Sequence, residues 1–417
     1  MKMKELHTGR LYWPTTLAQV PGYPSLASSA KAKAVIIGGG MSGIICGFVL
    51  SSAGVDTIVV ERGEIAGGST SANTGLLQFC NDVMLSELIG QIGEADAELF
   101  YKRCENAVGQ LTAAADSLPA DVGFRKRSSL YFASSEQDLP KLRREYEALA
   151  ACGFRVEYWE PEDIAARFPF RKPGAIVTHG DAEVNPYQFV HTLAASAVRQ
   201  GLRIYEGTDI VRHDTSPDGS HRLHSSEGHP IEAEHVVYAV GYEPEELRGR
   251  LNKAALNRSY AIVTNVQPEM DLAAWHGKYM LWETARPYLY LRTTLDNRIV
   301  LGGLDEEEER PTHNRHTQSN RSGKLLEQLQ ALFPALKLEA EYEWNATFGE
   351  SRDNLPFIGE DPAWPNVYYS LGYGGNGTVY SMVAAHLLLG LIQGSSTDDD
   401  RLLLNILSLK RTTLANS

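Results

Sequence analysis

The spacing of hydrophobic and polar positions along the chain predicts a succession of short strands and amphipathic or buried helices. Ala34 to Ile37 is an apolar, β-branched run that predicts a strand. Ile44 to Leu50 continues as an apolar helical segment ending near Gly54, and Thr57 to Val60 is a second apolar strand that stops at Glu61. Strand, helix and strand in this order predict a parallel βαβ unit. From Leu85 to Leu149 the pattern is helical and charged, with Pro119 and Pro140 as breaks and a strand-like interruption from Ser129 to Ala133. Val184-Asn185-Pro186 opens a helix from Tyr187 to Arg199, closed by Gly201 and followed by a strand, Arg203 to Glu206. His235 to Val240 is a third apolar strand ending at Gly241, while Tyr260 to Val266 and Tyr288 to Leu304 read as strands of a second, largely antiparallel sheet. The acidic stretch Asp305 to Asn320 reads as a solvated loop. Toward the end, Val367 to Leu371 is a strand, Gly372 to Gly377 a glycine turn and Thr378 to Ile392 a helix.

Composition narrows the class. A chain of 417 residues has room for two or three domains. Its 43% hydrophobic and 22% charged residues suit an ordinary globular protein, and 37 Gly with 19 Pro exclude a low-complexity or collagen-like chain. Thirty-nine Lys and Arg against 52 Asp and Glu leave a net charge of −13, which repels a polyanion, so nucleic acid is not an expected partner. The four cysteines, Cys46, Cys80, Cys104 and Cys152, form no CxxC pair. That spacing predicts no metal site and favours reduced thiols in a cytoplasm. The stretch to Lys33 has no apolar core of a secretory signal, and the run Met382 to Ile392, which includes His386, is too short to span a bilayer.

Candidate chemistry begins at Gly38-Gly39-Gly40-Met41-Ser42-Gly43, a GxGxxG set between strand and helix. Gly38 suits a tight turn, Gly40 allows a pyrophosphate to approach the backbone, and Gly43 permits close packing of helix on strand. Met41 and Ser42 belong to the same first helical turn, whose N–H groups and dipole attract phosphate. Glu61, with Arg62 beside it, ends the next strand, where a carboxylate can accept hydrogen bonds from both hydroxyls of an adenosine ribose. A dinucleotide is therefore the expected ligand. The small, polar segment Gly67 to Leu77 can supply hydroxyls and backbone groups to a pyrophosphate or a ring, or can be a flexible surface loop. The turn Gly372 to Gly377 places a second helix dipole where a reduced flavin develops negative charge, or simply caps a helix.

With these pieces in this order, the chain resembles the D-amino-acid-oxidase-like family of FAD-dependent oxidoreductases over about residues 30 to 395. The resemblance rests on GGGMSG with Glu61, GGSTSANTGLL, DAEVNP before a helix, YAVGY at a strand end, RPYLYLRTT followed by RIVLGG, and DNLPFIG leading to GYGGNG. It implies an α/β fold: a Rossmann-like FAD-binding domain of glutathione-reductase type, with a second α+β substrate domain on a largely antiparallel sheet. The implied division gives 30–90, 172–245 and 344–410 to the FAD-binding domain and 91–171 and 246–343 to the substrate domain. Carried over, Ser69, Thr70, Gly75 and Leu76 lie along the pyrophosphate and isoalloxazine, Ile210 offers its backbone to the adenine near Gly241, and Gly375, Asn376 and Gly377 cap the flavin pyrimidine.

Departures from the family pattern bear on substrate and cofactor. Members that oxidise amino acids hold the substrate carboxylate with basic residues, and the matching positions here are Phe348, Gln78 and Val379. The resemblance therefore implies a small amine or amino-acid derivative, with preference for one that lacks an α-carboxylate or carries its anionic group farther from the nitrogen, within reach of Arg292. Val300 stands where some members carry an oxygen-activating lysine, which leaves oxygen or another electron acceptor open. Ala72 and Ala346 occupy the positions used for covalent flavin attachment, so noncovalent FAD is implied. Arg292, Tyr290 and Gln78 are the candidates for positioning substrate. Tyr288, Tyr290 and Arg292 alternate on one strand face; the tyrosines can also be core aromatics, and Arg292 can bind either a substrate anion or a structural carboxylate. Glu283 can attract a cationic amine or form a surface salt bridge. The implied reaction is hydride transfer to flavin N5 from a carbon beside an amine nitrogen, giving an imine and then an aldehyde or keto product. The alternative is a noncatalytic or electron-transferring flavoprotein subunit of a larger dehydrogenase.

Overall fold

The structure, a computed structural model, describes residues 5–216, 219–241, 255–371 and 373–414. Two sheets organise them. In the first, Trp364–Leu371, Pro230–Gly241, Ala30–Ile37, Thr57–Val60 and Arg203–Tyr205 lie side by side and parallel. Phe357–Asp361 closes one edge antiparallel, and the hairpin Ile210–Thr215 with His221–Ser225 extends from Pro230–Gly241. Thr57–Val60 is buried along its whole length. Its uninterrupted apolar run reflects a parallel sheet covered on both faces. Helix Met41–Ser52 covers one face and packs against Pro186–Arg199 and Gly377–Gln393. Because Ala30–Ile37 has Thr57–Val60 on one side and Pro230–Gly241 on the other, the connections diverge at its carboxyl end, which is where open α/β sheets form a ligand crevice.

The second sheet runs His7–Arg10, Ala340–Glu350, Ala255–Thr264, Ile299–Glu306, Tyr290–Thr293, Met280–Glu283, Arg125–Phe132, Ala175–Glu183 and Leu76–Leu77, with Val156–Trp159 beside Ala175–Glu183. Among the described strands only the pair Met280–Glu283 and Arg125–Phe132 is parallel there. Helix Arg315–Leu332 buries Leu325, Leu329 and Leu332 in a cluster with Ile262, Leu291 and Leu301 of this sheet.

Several expectations from the sequence are corrected. Asp305 to Asn320 is a loop only over 307–314, which is largely exposed: Asp305 and Glu306 complete the strand Ile299–Glu306, and Asn314 caps helix Arg315–Leu332 by accepting from the backbone N–H groups of His316 and Thr317. The run looked solvated because the first turns of that helix are polar and its apolar stripe starts later. Pro140 does not break a helix but sits in the first turn of Leu139–Ala151, where its missing N–H costs no intrahelical bond. Strand Ala175–Glu183, assigned with 172–245 to the first domain, pairs in the second sheet, as do Leu76–Leu77 and the whole of Ala340–Glu350. Long-range pairing with Arg125–Phe132 and Ala255–Thr264 decides this, and local pattern does not report it. The apolar run near the end belongs to Gly374–Gln393, long and apolar enough to cross a membrane by length and composition, yet 72% of its apolar window is buried. It packs on Met41–Ser52 and Glu94–Asp116 as a core helix. Gly372, and Tyr242 of the YAVGY motif, lie outside the described residues.

Candidate active site

Between the carboxyl ends of the parallel strands and the second sheet lies a cavity of about 810 Å³. The glycine turn that opens it divides by function. Gly38 has φ +112°, and a Cβ there would stand 2.4 Å from the Ala239 carbonyl oxygen; one on Gly43 would stand 1.8 Å from the Gly38 carbonyl oxygen. These two glycines are needed for packing. Gly40 has an ordinary φ of −78°, and a Cβ on it would meet only Thr70 Oγ1, at 3.4 Å. Its α-carbon faces the cavity at the start of helix Met41–Ser52, a cradle that a side chain would fill and a pyrophosphate needs. The Thr70 hydroxyl accepts from the Met41 backbone N–H at 2.9 Å, and Ser42 Oγ lies 2.9 Å from Ser370 Oγ and 2.5 Å from the Tyr373 hydroxyl.

Glu61 shapes the same turn, accepting from Gly39 N–H at 2.7 Å and Gly63 N–H at 2.8 Å, while facing the cavity with Arg62. Glu61→Ala is expected to weaken FAD binding by roughly tenfold to a hundredfold, the loss of about one hydrogen bond to a charged group. Titration of the apoprotein with FAD measures it, and unchanged affinity would remove Glu61 from the site. Ser69, Leu76, Ile210 and Gly241 also line the cavity. Gly75 does not: with φ +76° it packs against Val184 and Arg292, and so fixes the path of the segment that presents Leu76. Part of that segment, Ser69–Ala72, is a single helical turn.

The distal glycine turn is tied to the same segment. Gly375 N–H donates to Asp82 Oδ2 at 2.8 Å, and Asn376 Nδ2 donates to the Gln78 carbonyl and to Asn81 Oδ1, each at 2.9 Å. Gly377 begins the buried helix, so Gly375, Asn376 and Gly377 all face the cavity from its N-terminus.

On the second-sheet side stand Tyr288, Tyr290, Trp282, Gln78 and Phe348. The Tyr290 ring lies over Gly302, where a Cβ would come within 2.4 Å of it, and Trp282 stacks on Tyr131 at 3.7 Å between ring centres. Gln78 is held by Ser129, whose hydroxyl it reaches at 3.1 Å and which in turn donates to the buried Asp181. Phe348 and Gln78 line the cavity, whereas Val379 and Val300 are core residues with no exposure. Ala72 and Ala346 line its wall as methyl groups.

Arg292 is placed elsewhere. It is 2% exposed, and its guanidinium donates to the carbonyls of Thr74, Thr293 and Val184 at 2.8, 3.1 and 2.6 Å, with Glu183 at 3.8 Å. It lies outside the cavity that Tyr288 and Tyr290 line, against Gly75, and acts as a structural clamp on that loop. Alternation put it on the correct face but could not report how far the cavity extends along the strand. Glu283 is likewise occupied, by Leu289 N–H and the Ser134 hydroxyl.

Sequence reasoning missed Asp82 and Asp305, both of which line the cavity. Burial, with the Asp82 charge nearby, pushes the Asp305 carboxyl up to about 6. Burial also pushes Glu350 up to about 7, the charges of Asp82 and Asp305 adding to it. The cue for Asp305 was its position two residues after RIVLGG on a cavity strand; Asp82 had no local cue, since its partners, Gly375 and Tyr288, lie in distant segments.

Comparison with known proteins agrees with this geometry. A family model described as FAD dependent oxidoreductase (DAO) matches residues 33–391. The Bacillus subtilis (strain 168) protein YhfW, named for a Rieske 2Fe-2S iron-sulfur protein, is 24% identical over 92% of this chain and 72% of its own length. Gamma-glutamylputrescine oxidoreductase of Escherichia coli (strain K12) is 22% identical over 94% of this chain and 90% of its own. The crystal structure of glycine oxidase from Geobacillus kaustophilus superposes with a TM-score of 0.77 at 21% identity, covering 92% of this chain and 99% of the other.

Proposed function

The chain belongs to the DAO family of FAD-dependent oxidoreductases, and from that premise we propose that it oxidises the C–N bond of a small amine lacking an α-carboxylate. FAD fits the residues present: the open face of Gly40, Thr70, Ser69, Glu61 and Ile210 would hold the nucleotide, and the Gly375 to Gly377 turn the far end of the ring system. Noncovalent binding follows from alanine at both positions where members attach the flavin. When bound, FAD supplies a two-electron acceptor for the hydride that leaves a carbon beside an amine nitrogen.

The chain's own part is to orient and to exclude. An alkyl ammonium titrates at about 10 in water, and a walled cavity favours its neutral form by desolvation, freeing the lone pair that must drive the C–H bond apart. Tyr288, Tyr290, Trp282 and Phe348 provide that wall. The resulting iminium ion adds water and breaks down to a carbonyl compound and an amine.

One observation carries the choice of substrate. Among the described residues that line the cavity, Arg62, next to Glu61, is the only Arg or Lys, and Phe348 and Gln78 face the substrate side instead. A carboxylate entering there would lose its hydration without a fixed cation to replace it. The name of the Escherichia coli relative denotes a putrescine derivative whose free butylamine end has no carboxylate on the carbon beside its nitrogen, although its glutamyl end keeps one, and to that extent accords with the same reading. An anaerobic panel tests it: simple amines are expected to bleach the flavin of the holoenzyme, and glycine, sarcosine and D-alanine to do so poorly. If one of those three amino acids proves the best reductant, the proposal is wrong.

A further inference from the structure

Asp181 does not line the cavity, yet it decides what one wall residue can offer there. It is fully buried; its Oδ1 accepts from the Phe79 backbone N–H at 3.1 Å, and its Oδ2 accepts from the hydroxyls of Thr178 and Ser129 at 2.5 and 2.7 Å. Burial pushes the carboxyl up and the three donors pull it back, holding it as a carboxylate, which can only accept. The single proton of Ser129 is therefore committed to Asp181. What Ser129 has left for Gln78, 3.1 Å away, is a lone pair, so the Gln78 amide turns its NH2 toward Ser129 and its oxygen the other way. That oxygen, Oε1, bonds to nothing among the described residues and is not among the polar atoms sealed from solvent. Because Gln78 is only partly buried and lines the cavity, Oε1 is an open acceptor there. The Gln78 backbone carbonyl, held by Asn376 Nδ2 at 2.9 Å, sets this amide beside the turn assigned to the flavin ring.

An open acceptor suits a group that brings its own proton. Resting on the reading of this cavity as an amine-oxidising site, we propose that Gln78 Oε1 accepts an N–H of the reacting amine, with Ser129 and Asp181 as positioning residues that fix its polarity, so that the substrate is a primary or secondary amine. Donating one N–H to a fixed oxygen orients the nitrogen lone pair. As the hydride leaves the adjacent carbon with its electron pair for the flavin, that lone pair becomes the second bond of C=N and positive charge appears on nitrogen. The remaining N–H is then a stronger donor to the same oxygen, so the contact tightens in the transition state, where it raises the rate. A carboxylate side chain in place of the amide would instead hold the nitrogen protonated, the state that cannot expel hydride. A tertiary amine in its reactive neutral form has no N–H to give, and a substrate carboxylate would set acceptor against acceptor.

The direction of this chain of hydrogen bonds can be reversed at its buried end. In Asp181→Asn the Phe79 N–H still requires an oxygen opposite it, so the NH2 of the new amide faces the hydroxyls of Thr178 and Ser129. Ser129 then accepts from that NH2 and its own proton turns to Gln78. The Gln78 amide flips to receive it, and its NH2 enters the cavity as a donor. One buried substitution that never touches the ligand thus converts the wall from an acceptor of N–H groups into a donor to carboxylates.

The test is calorimetric titration of FAD-loaded enzyme, reduced with dithionite so that no amine is consumed, with butylamine and with pentanoate, which carry an amine or a carboxylate on the same butyl chain. Wild type, Asp181→Asn, Gln78→Leu and the double variant are compared, and the flavin spectrum before reduction reports folding of each. The wild type is expected to favour butylamine, and Asp181→Asn to move the ratio toward pentanoate by about tenfold or more. In the Gln78→Leu background Asp181→Asn should move it far less, whereas loss of the Asp181 charge alone would act equally with and without Gln78. Should Asp181→Asn not fold, Ser129→Ala frees the amide to present either end and is expected to shift the ratio the same way. No butylamine binding by the wild type, no shift in a folded Asp181→Asn or Ser129→Ala protein, or a shift of equal size without Gln78 overturns the inference. Bleaching of the oxidised enzyme separates it from the functional reading. Gln78→Leu should slow bleaching by butylamine about tenfold or more and leave N,N-dimethylbutylamine, already slow, unchanged. If butylamine bleaches wild type and Gln78→Leu alike, or the tertiary amine matches it in the wild type, the role of Gln78 is wrong and the function stands; if the binding ratios follow Gln78 and no amine bleaches the flavin, the polarity of the wall stands and the reaction is wrong.

Discussion

Gly40→Val is expected to yield a folded protein that no longer retains FAD, whereas Gly43→Val yields no stable protein at all. The two glycines are three residues apart in one motif, but their surroundings differ in kind. At Gly43 an added Cβ would sit 1.8 Å from the Gly38 carbonyl oxygen, which belongs to the backbone and cannot rotate away. At Gly40 it would meet only a threonine hydroxyl at 3.4 Å, and the remaining branches of valine would enter the cavity. Overpacking a well-filled core costs about 1–3 kcal/mol, and separating the helix from the strand by more than an ångström exceeds that range. Displacing a phosphate from a helix N-terminus removes two or more charge-assisted bonds worth about 1.5–3 kcal/mol each, a loss of at least a hundredfold in affinity. Thermal unfolding and FAD titration of the two variants measure the contrast. A Gly40→Val protein that binds FAD normally would move the phosphate site elsewhere.

The second large effect is expected at Arg292. Its substitution by alanine strands three backbone carbonyls and removes one of the two arginines near Glu183, which is 1% exposed and otherwise paired with Arg127 at 2.7 Å. Breaking a buried ion pair by removing one partner costs about 3–5 kcal/mol, and the remaining arginine places the expected loss toward the lower end. The Asn73 to Leu76 segment should loosen with it, because Gly75 rests against the guanidinium. Arg292→Ala is therefore expected to lower the urea midpoint and FAD affinity together, and Arg292→Lys to restore the charge without the three-way fork. A variant with unchanged stability and an altered KM for an anionic substrate would instead return Arg292 to the active site.

These two residues also show what the sequence could and could not report. The glycine motif was legible because phosphate-binding chemistry is local: a strand end, a turn and a helix N-terminus are consecutive in the chain, and Glu61 follows at the end of the next strand. The path of the second sheet was not, since Ala175–Glu183 takes its place by pairing with Arg125–Phe132 and Leu76–Leu77. Asp305 escaped notice because its strand continues past Gly303 and Leu304, whose positive φ values of 148° and 59° interrupt simple alternation. Asp82 lies 293 residues from the Gly375 N–H that it accepts from, a distance that no local pattern spans. Arg292 shows the opposite failure: the periodicity of RPYLYLRTT gave its face correctly, while its depth depended on carbonyls from two other segments.

The account's central claim is that an uncharged wall at Phe348 and Gln78 selects amines over amino acids. It is tested most directly by the rates at which butylamine and norvaline, which share a carbon skeleton and differ by the α-carboxylate, reduce the flavin of wild-type enzyme and of Phe348→Arg under anaerobic conditions. The wild type should prefer the amine, and Phe348→Arg, with its flavin spectrum intact, should shift the ratio toward norvaline by about tenfold or more, as a desolvated carboxylate gains a charged partner. A wild type that already prefers norvaline, or a ratio that the arginine leaves unmoved, would contradict the claim.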